Sequence, residues 1–163
     1  MPSIDVNGVN TVYQEYGDPK SIKHILFIHG LGDSSLSWRD IPEALSNFFH
    51  TITIDLVGFG ASDKPEKPEY YTIKGLSKFV VDFLEKIGLN KEEQKESSNT
   101  NNNGNHGSKH TVYLVGISLG GYIAAQVAIE NSDMIKKLVL AGSAGLLENQ
   151  LRYYKNISMQ LWK

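Results

Sequence analysis

Four short runs of apolar and β-branched residues limit what this chain can fold into: Ile25-Leu26-Phe27-Ile28, Thr51-Ile52-Thr53-Ile54, Thr111 to Val115 and Leu138-Val139-Leu140-Ala141. Each is bounded by turn residues and is too short to carry a helical period. Runs of this kind suit strands buried on both faces, the grammar of a parallel sheet. Between them the apolar residues change spacing. Trp38, Ile41 and Leu45 follow one another at steps of three and four, which predicts a helix, and Leu76, Phe79, Val80, Phe83, Leu84 and Ile87 share one face of the clearest amphipathic helix. Tyr122 to Ile129 is apolar almost all round, as in a helix buried inside a domain. Strand and helix alternate, so the expected class is α/β: a mostly parallel sheet with flanking helices. An opening hairpin, Ile4 to Val6 and Thr11 to Tyr16 around Asn7-Gly8, precedes the alternation.

With 163 residues, 40% of them hydrophobic, there is material for the core of one domain. A formal net charge of −2 gives no generic attraction to nucleic acid or to an anionic membrane. The absence of cysteine excludes disulfides, thiolate zinc sites and cysteine nucleophiles. No basic segment followed by an apolar run opens the chain, and no stretch approaches the roughly 18 apolar residues of a membrane span. A cytoplasmic protein without a membrane span is the expectation. Residues 90–110 join a charged run to an Asn-, Ser- and Gly-rich tract with nothing to bury, and read as a disordered surface insertion. Residues 1–145 are therefore assigned to the core. In 146–163 the spacing of Leu147, Leu151, Tyr154, Ile157 and Leu161 predicts the start of a cap or a terminal helix.

The chemistry concentrates in glycine-bearing turns at the ends of the predicted strands. Gly116-Ile117-Ser118-Leu119-Gly120 lies between the strand Thr111 to Val115 and the helix that begins near Gly121. Outer glycines let the chain turn sharply from strand to helix and project Ser118 Oγ beyond the sheet, with the helix N-terminus behind it favouring negative charge. His29-Gly30-Leu31-Gly32 leaves the strand Ile25 to Ile28 at the same edge. There the Leu31 N–H is expected to point toward Ser118 and, with the Leu119 N–H, to form an oxyanion hole. Asp55 to Ser62 follows the third such strand end; Asp55 is expected to accept backbone N–H groups within its turn.

These three motifs, in this order, resemble the N-terminal half of the α/β-hydrolase superfamily, in its esterase, lipase, carbon–carbon bond hydrolase and epoxide-hydrolase-like branches. The resemblance implies that Ser118 is the catalytic nucleophile and that the Leu31 and Leu119 amides form the oxyanion hole. It also implies that His29 orients its loop, with Gly30, Gly32, Gly116 and Gly120 shaping the site. A serine at 118, where epoxide hydrolases and haloalkane dehalogenases of similar pattern carry aspartate, implies hydrolysis of an ester, thioester, amide or C–C bond in a small acyl-type substrate. No cofactor or metal is called for.

The general base has no obvious owner. All five histidines, His24, His29, His50, His106 and His110, precede Ser118, whereas the fold places the base after it. His24, His50 and His110 open predicted strands and His106 lies in the loop before one, so they are expected at the far edge, as surface residues. Glu148 is read as an exposed residue rather than the triad acid. The expectation is thus a truncated α/β-hydrolase core lacking its last strands and helices, inactive alone, with pairing at the exposed edge formed by Leu138 to Ala141. The alternative is a non-catalytic α/β-hydrolase-like binding domain.

Overall fold

The computed structural model describes residues 1–89 and 111–145. Its strands are β1 (Ser3–Val6), β2 (Val9–Tyr16), β3 (Lys23–Ile28), β4 (His50–Ile54), β5 (Thr111–Ile117) and β6 (Ile135–Ala141). They form one sheet in the order β1-β2-β4-β3-β5-β6. β3 is its centre, paired in parallel with β4 on one side and β5 on the other, and β6 continues the parallel run beyond β5. β2 joins β4 antiparallel and carries β1 as a hairpin. The hairpin turn places Asn7 and Gly8 at φ 54° and 85°. Two successive left-handed residues match the twist of the flanking strands, so an Asn-Gly pair closes this turn without splaying it.

Alternation along β3 divides the core. Leu26 and Ile28 face a large cluster that includes Ile52, Ile54, Leu114 and the helices α2 (Ile73–Lys86) and α3 (Leu119–Glu130). Ile25 and Phe27 face the opposite side, where Trp38 packs with its ring 5.0 Å from Phe27. Both faces of the central strands are covered, which is why β3 and β4 could be spelled almost entirely in apolar and β-branched residues. α2 buries Leu76, Phe79, Val80, Phe83 and Leu84, the stripe expected from its spacing. Its start is set by Thr72, whose Oγ1 accepts the Gly75 N–H at 2.9 Å and so satisfies one of the helix's unpaired donors. α3 buries Gly120, Gly121, Ile123, Ala124, Ala125 and Val127, while Tyr122, Gln126, Ile129 and Glu130 share a face that is only partly buried or exposed, so the helix is less enclosed than its composition suggests.

Three expectations are corrected. Trp38 to Leu45 is not one helix: a single 3₁₀ turn, Ser35–Trp38, is followed by Arg39 at φ 49° and then by α1 (Ile41–Leu45). Pro42 lacks the N–H that would continue a helix from the preceding turn, but suits the first turn of a new one. Ile41, freed from the expected stripe, is 52% exposed. β6 is not buried on both faces as its apolar run suggested; it ends the sheet among the described residues, the edge position expected of a truncated core, and Val139 is 54% exposed. His24 and His50 are not surface residues. Both open central strands, as register partners, and are buried with their Nδ1 atoms 3.0 Å apart, one ring donating to the other. His50 Nε2 also lies 3.4 Å from Glu15 Oε1, at ion-pair distance without hydrogen-bond geometry. The readings of 90–110 as an insertion and of 146–163 as a cap or terminal helix, and those of His106, His110 and Glu148, fall outside the described residues.

Phe83 is fully buried and meets the Tyr13 ring edge-on at 5.5 Å, linking α2 to β2. Truncation there removes a large side chain from the main cluster and leaves a cavity. Phe83→Ala is expected to lower unfolding free energy by about 3–5 kcal/mol in urea denaturation, with little change in the slope.

Candidate active site

The register aligns Ile28 with Ile54 and with Gly116, so β3, β4 and β5 end at a common edge. The residues that leave this edge are His29, Asp55 and the Ile117-Ser118 pair, which brings the three sequence motifs together. Ser118 stands at φ 52°, ψ −119°, between the last residue of β5 and the first of α3, with its side chain exposed. A non-glycine residue in such a conformation costs on the order of 1–3 kcal/mol and persists only where its surroundings hold it.

The neighbouring glycines show why the turn can be this tight. A Cβ on Gly116 would collide with the Gly120 carbonyl and, at 2.7 Å, with the Gly121 Cα. One on Gly120 would strike the main-chain carbonyls of Ile28 and His29. The first turn of α3 is therefore pressed against the end of its own strand and against the exit of β3. The same closeness brings the next loop over the serine: a Cβ on Gly30 would lie 3.4 Å from Ser118 Cβ and 4.0 Å from its Oγ. Gly32 has φ +72°, and the Asp33 N–H donates to the Gly30 carbonyl, so Leu31 sits in a turn that starts from Gly30 beside Ser118. Within α3 the N–H groups of Gly121 and Tyr122 donate to the Ser118 carbonyl. Leu119, the first helical residue, carries one of the N–H groups for which a helix provides no acceptor.

His29 is fully buried, and both its ring nitrogens are committed. Nε2 accepts the Leu56 N–H at 3.1 Å, so the ring proton resides on Nδ1, which donates to the Gly30 carbonyl at 2.7 Å. Phe59 covers the ring edge-to-face at 5.7 Å. The imidazole thus joins the loop over Ser118 to the turn after β4, and neither nitrogen is left to take a proton from Ser118. Burial pushes its pKa down, against smaller opposing effects of the Gly30 carbonyl, Asp55 and Asp33.

Asp55 holds the same region from below. Its carboxylate is buried and accepts the Ser35 N–H at 2.6 Å and the Ala61 N–H at 2.8 Å, the second of these being the bond within its turn that the sequence predicts. The bond to Ser35 reaches across to the loop after β3. Ser62 has a supporting role that sequence reasoning misses: its hydroxyl donates to the Asp55 carbonyl at 2.7 Å and accepts the Val12 N–H at 2.8 Å. A serine at the end of a glycine-rich turn carries no signal of that role beyond its proximity to the aspartate. The loop after β6 is equally silent in sequence, yet its Ala144 N–H and the Ala141 carbonyl before it both bond to Ser118. Among the described residues no group of three or more His, Cys, Asp or Glu side chains is placed to hold a metal ion. Nor is any helix there long and apolar enough to cross a membrane.

A family model described as alpha/beta hydrolase fold matches residues 23–160. The chain belongs to the α/β-hydrolase family. It is 30% identical over 143 residues to the uncharacterized hydrolase YugF of Bacillus subtilis, covering 88% of this chain and 44% of that protein. It is 28% identical over 147 residues to the 2-hydroxy-6-oxo-6-(2'-aminophenyl)hexa-2,4-dienoic acid hydrolase of Metapseudomonas resinovorans, covering 88% of this chain and 42% of that one. Among solved structures, a bacterial membrane phospholipase A superposes with a TM-score of 0.73 at 27% identity, over 90% of this chain and 40% of the other. The chain thus spans less than half the length of these family members.

His29 and His50 are both held neutral by burial, which lowers their pKa values below the ordinary 6.5; for His50 the carboxylates of Glu15 and Asp18 oppose this in part. The unfolded chain binds more protons than the fold below about pH 6.5, so this stability is fully present above that pH and is lost as pH falls. Urea midpoints are expected to decline between about pH 7.5 and about pH 5.5, and the His50→Gln variant to show a flatter decline.

Proposed function

We propose that this α/β-hydrolase chain carries the nucleophilic half of a serine hydrolase active site. The observation that carries the proposal is the strained, exposed Ser118 at the β5–α3 turn, with Gly30 of the loop after β3 packed against its side chain. In this reading Ser118 Oγ bonds to the carbonyl carbon of an ester, thioester, amide or activated C–C substrate while its proton passes to a base. The carbonyl electrons move onto oxygen, where the Leu31 and Leu119 amides receive them, and return as the leaving group departs with a proton. Water then releases the acyl group from Ser118. A small acyl-type substrate suits the family, and the dienoic acid hydrolase and phospholipase among the relatives mark the breadth of bonds in question.

The base and its acid partner are assigned to residues that this chain does not contain. His29 has both nitrogens engaged, while His24 and His50 open their strands, roughly 17 Å along the sheet from its carboxyl edge. Since no histidine follows Ser118 in the sequence, the chain by itself is assigned negligible turnover. That same fact favours a second reading, in which the turn is retained as structure in a non-catalytic binding domain. Pairing of another strand at the β6 edge is compatible with either.

An activated fluorophosphonate separates them. An oxyanion hole alone keeps roughly 10³-fold catalysis over water in serine enzymes stripped of their base. The folded chain is therefore expected to be phosphonylated at Ser118 well above the rate in urea, and Ser118→Ala to abolish the adduct in peptide mass spectrometry. Equal labelling of folded and denatured chain would remove the nucleophile assignment and leave the binding domain.

A further inference from the structure

Ser118 is held by more than the helix it precedes. Its N–H donates to the Ala141 carbonyl at 3.1 Å, and its carbonyl accepts the Ala144 N–H at 2.9 Å in addition to the Gly121 and Tyr122 N–H groups of α3. One outside bond comes from Ala141, the last residue of β6, and the other from Ala144 in the loop that follows it. Side-chain packing repeats the connection. A Cβ on Gly121 would lie 2.7 Å from Ser143 Oγ, 2.8 Å from its Cβ and 3.1 Å from its Cα, and one on Gly145 would enter the Tyr122 ring. Loop and helix are thus interlocked at two successive positions, Gly121 against Ser143 and Tyr122 against Gly145. The Ser143 hydroxyl donates to the Ala144 carbonyl at 3.0 Å, stiffening the segment between the two.

We propose that residues 141–145 form a positioning clamp for the nucleophile, with the main-chain groups of Ala141 and Ala144 as its working parts and Ser143 only filling the space against Gly121, which keeps Ser118 in its strained conformation beside Gly30. The proposal rests on the assignment of Ser118 as nucleophile. A relaxed backbone at 118 would swing the hydroxyl away from the two amides, and displacements of about 1 Å at a reacting atom cost up to about a hundredfold in rate. The strain is supplied from β6, so the side of the sheet that contributes no reacting group still decides whether the reacting group is in place. Ala141 to Gly145 touch no substrate in this scheme; they act through Ser118.

The test is a suppressor pair in the full 163-residue chain. Gly121→Ala drives a methyl group into Ser143 and pushes the clamp away; adding Ser143→Gly removes the two nearest atoms it strikes. Two readouts are taken on each: hydrogen exchange at the Ser118 amide, which reports the bond to Ala141, and the rate of fluorophosphonate labelling. Gly121→Ala is expected to raise exchange at Ser118 and to slow labelling, each by about tenfold or more, while far-ultraviolet circular dichroism retains the helices. The double variant is expected to return both to near the parent values. Unchanged exchange in Gly121→Ala, or no recovery in the double variant, would overturn the clamp. Should Gly121→Ala not fold, Gly142→Val carries the test: the residue sits at φ +52° with open space around its Cβ position, so it strains the loop alone, and the same losses are expected. If the parent is not labelled above its denatured rate, the nucleophile assignment falls, and exchange at Ser118 still decides whether the clamp exists.

Discussion

Everything at the carboxyl edge of this sheet depends on how closely one helix backbone approaches one strand. Gly120 faces the carbonyls of Ile28 and His29, and Gly116 faces the carbonyl of Gly120, at separations that leave no room for a single methyl group at either position. Without that approach the start of α3 would stand farther from β3, by the thickness of a side chain. Ser118 and the loop that follows β3 would then be separate surface features. With it, they are neighbours, and the sharp turn at Ser118 lies directly against Gly30.

Around this contact His29, Asp55 and Ser62 are committed to loops and strands rather than to Ser118. His29, Asp55 and Ser62 together bond to Leu56, Gly30, Ser35, Ala61 and Val12, so the turns after β3 and β4 and the strand β2 are tied to one another. Each bond has a main-chain group on at least one side, and each polar atom so used is one that would otherwise be buried unpaired, at a cost of about 1–3 kcal/mol. These loops follow the path of irregular chain but have the hydrogen bonding of a sheet, and they make a rigid frame beneath the exposed serine.

The parts of this design that were legible in sequence are those written in glycine and in period. The burial of the central strands, the α2 stripe and the two glycine-rich turns follow from local rules that tertiary contacts only reinforce. What was not legible depended on partners remote in sequence. His24 and His50 read as polar strand openings, and nothing local reveals that parallel register would set them side by side with their Nδ1 atoms hydrogen-bonded. Trp38 to Leu45 has the spacing of a helix, but Arg39 turns left-handed before Pro42, so the chain restarts instead of continuing. β6 has the composition of a central strand and the exposure of an edge, because burial belongs to a strand's neighbours and not to its residues. Ser62 and Ala144 are ordinary residues whose roles are hydrogen bonds across the fold, which no residue type announces.

The two bonds of His29 have one more consequence. A ring that must accept at Nε2 and donate at Nδ1 is confined to a single tautomer, and the two nitrogens of such a ring have widely separated ¹⁵N resonances. The imidazole between the two turns is therefore a built-in spectroscopic gauge of whether the loop over Ser118 is seated, readable without substrate, inhibitor or any change to the chain.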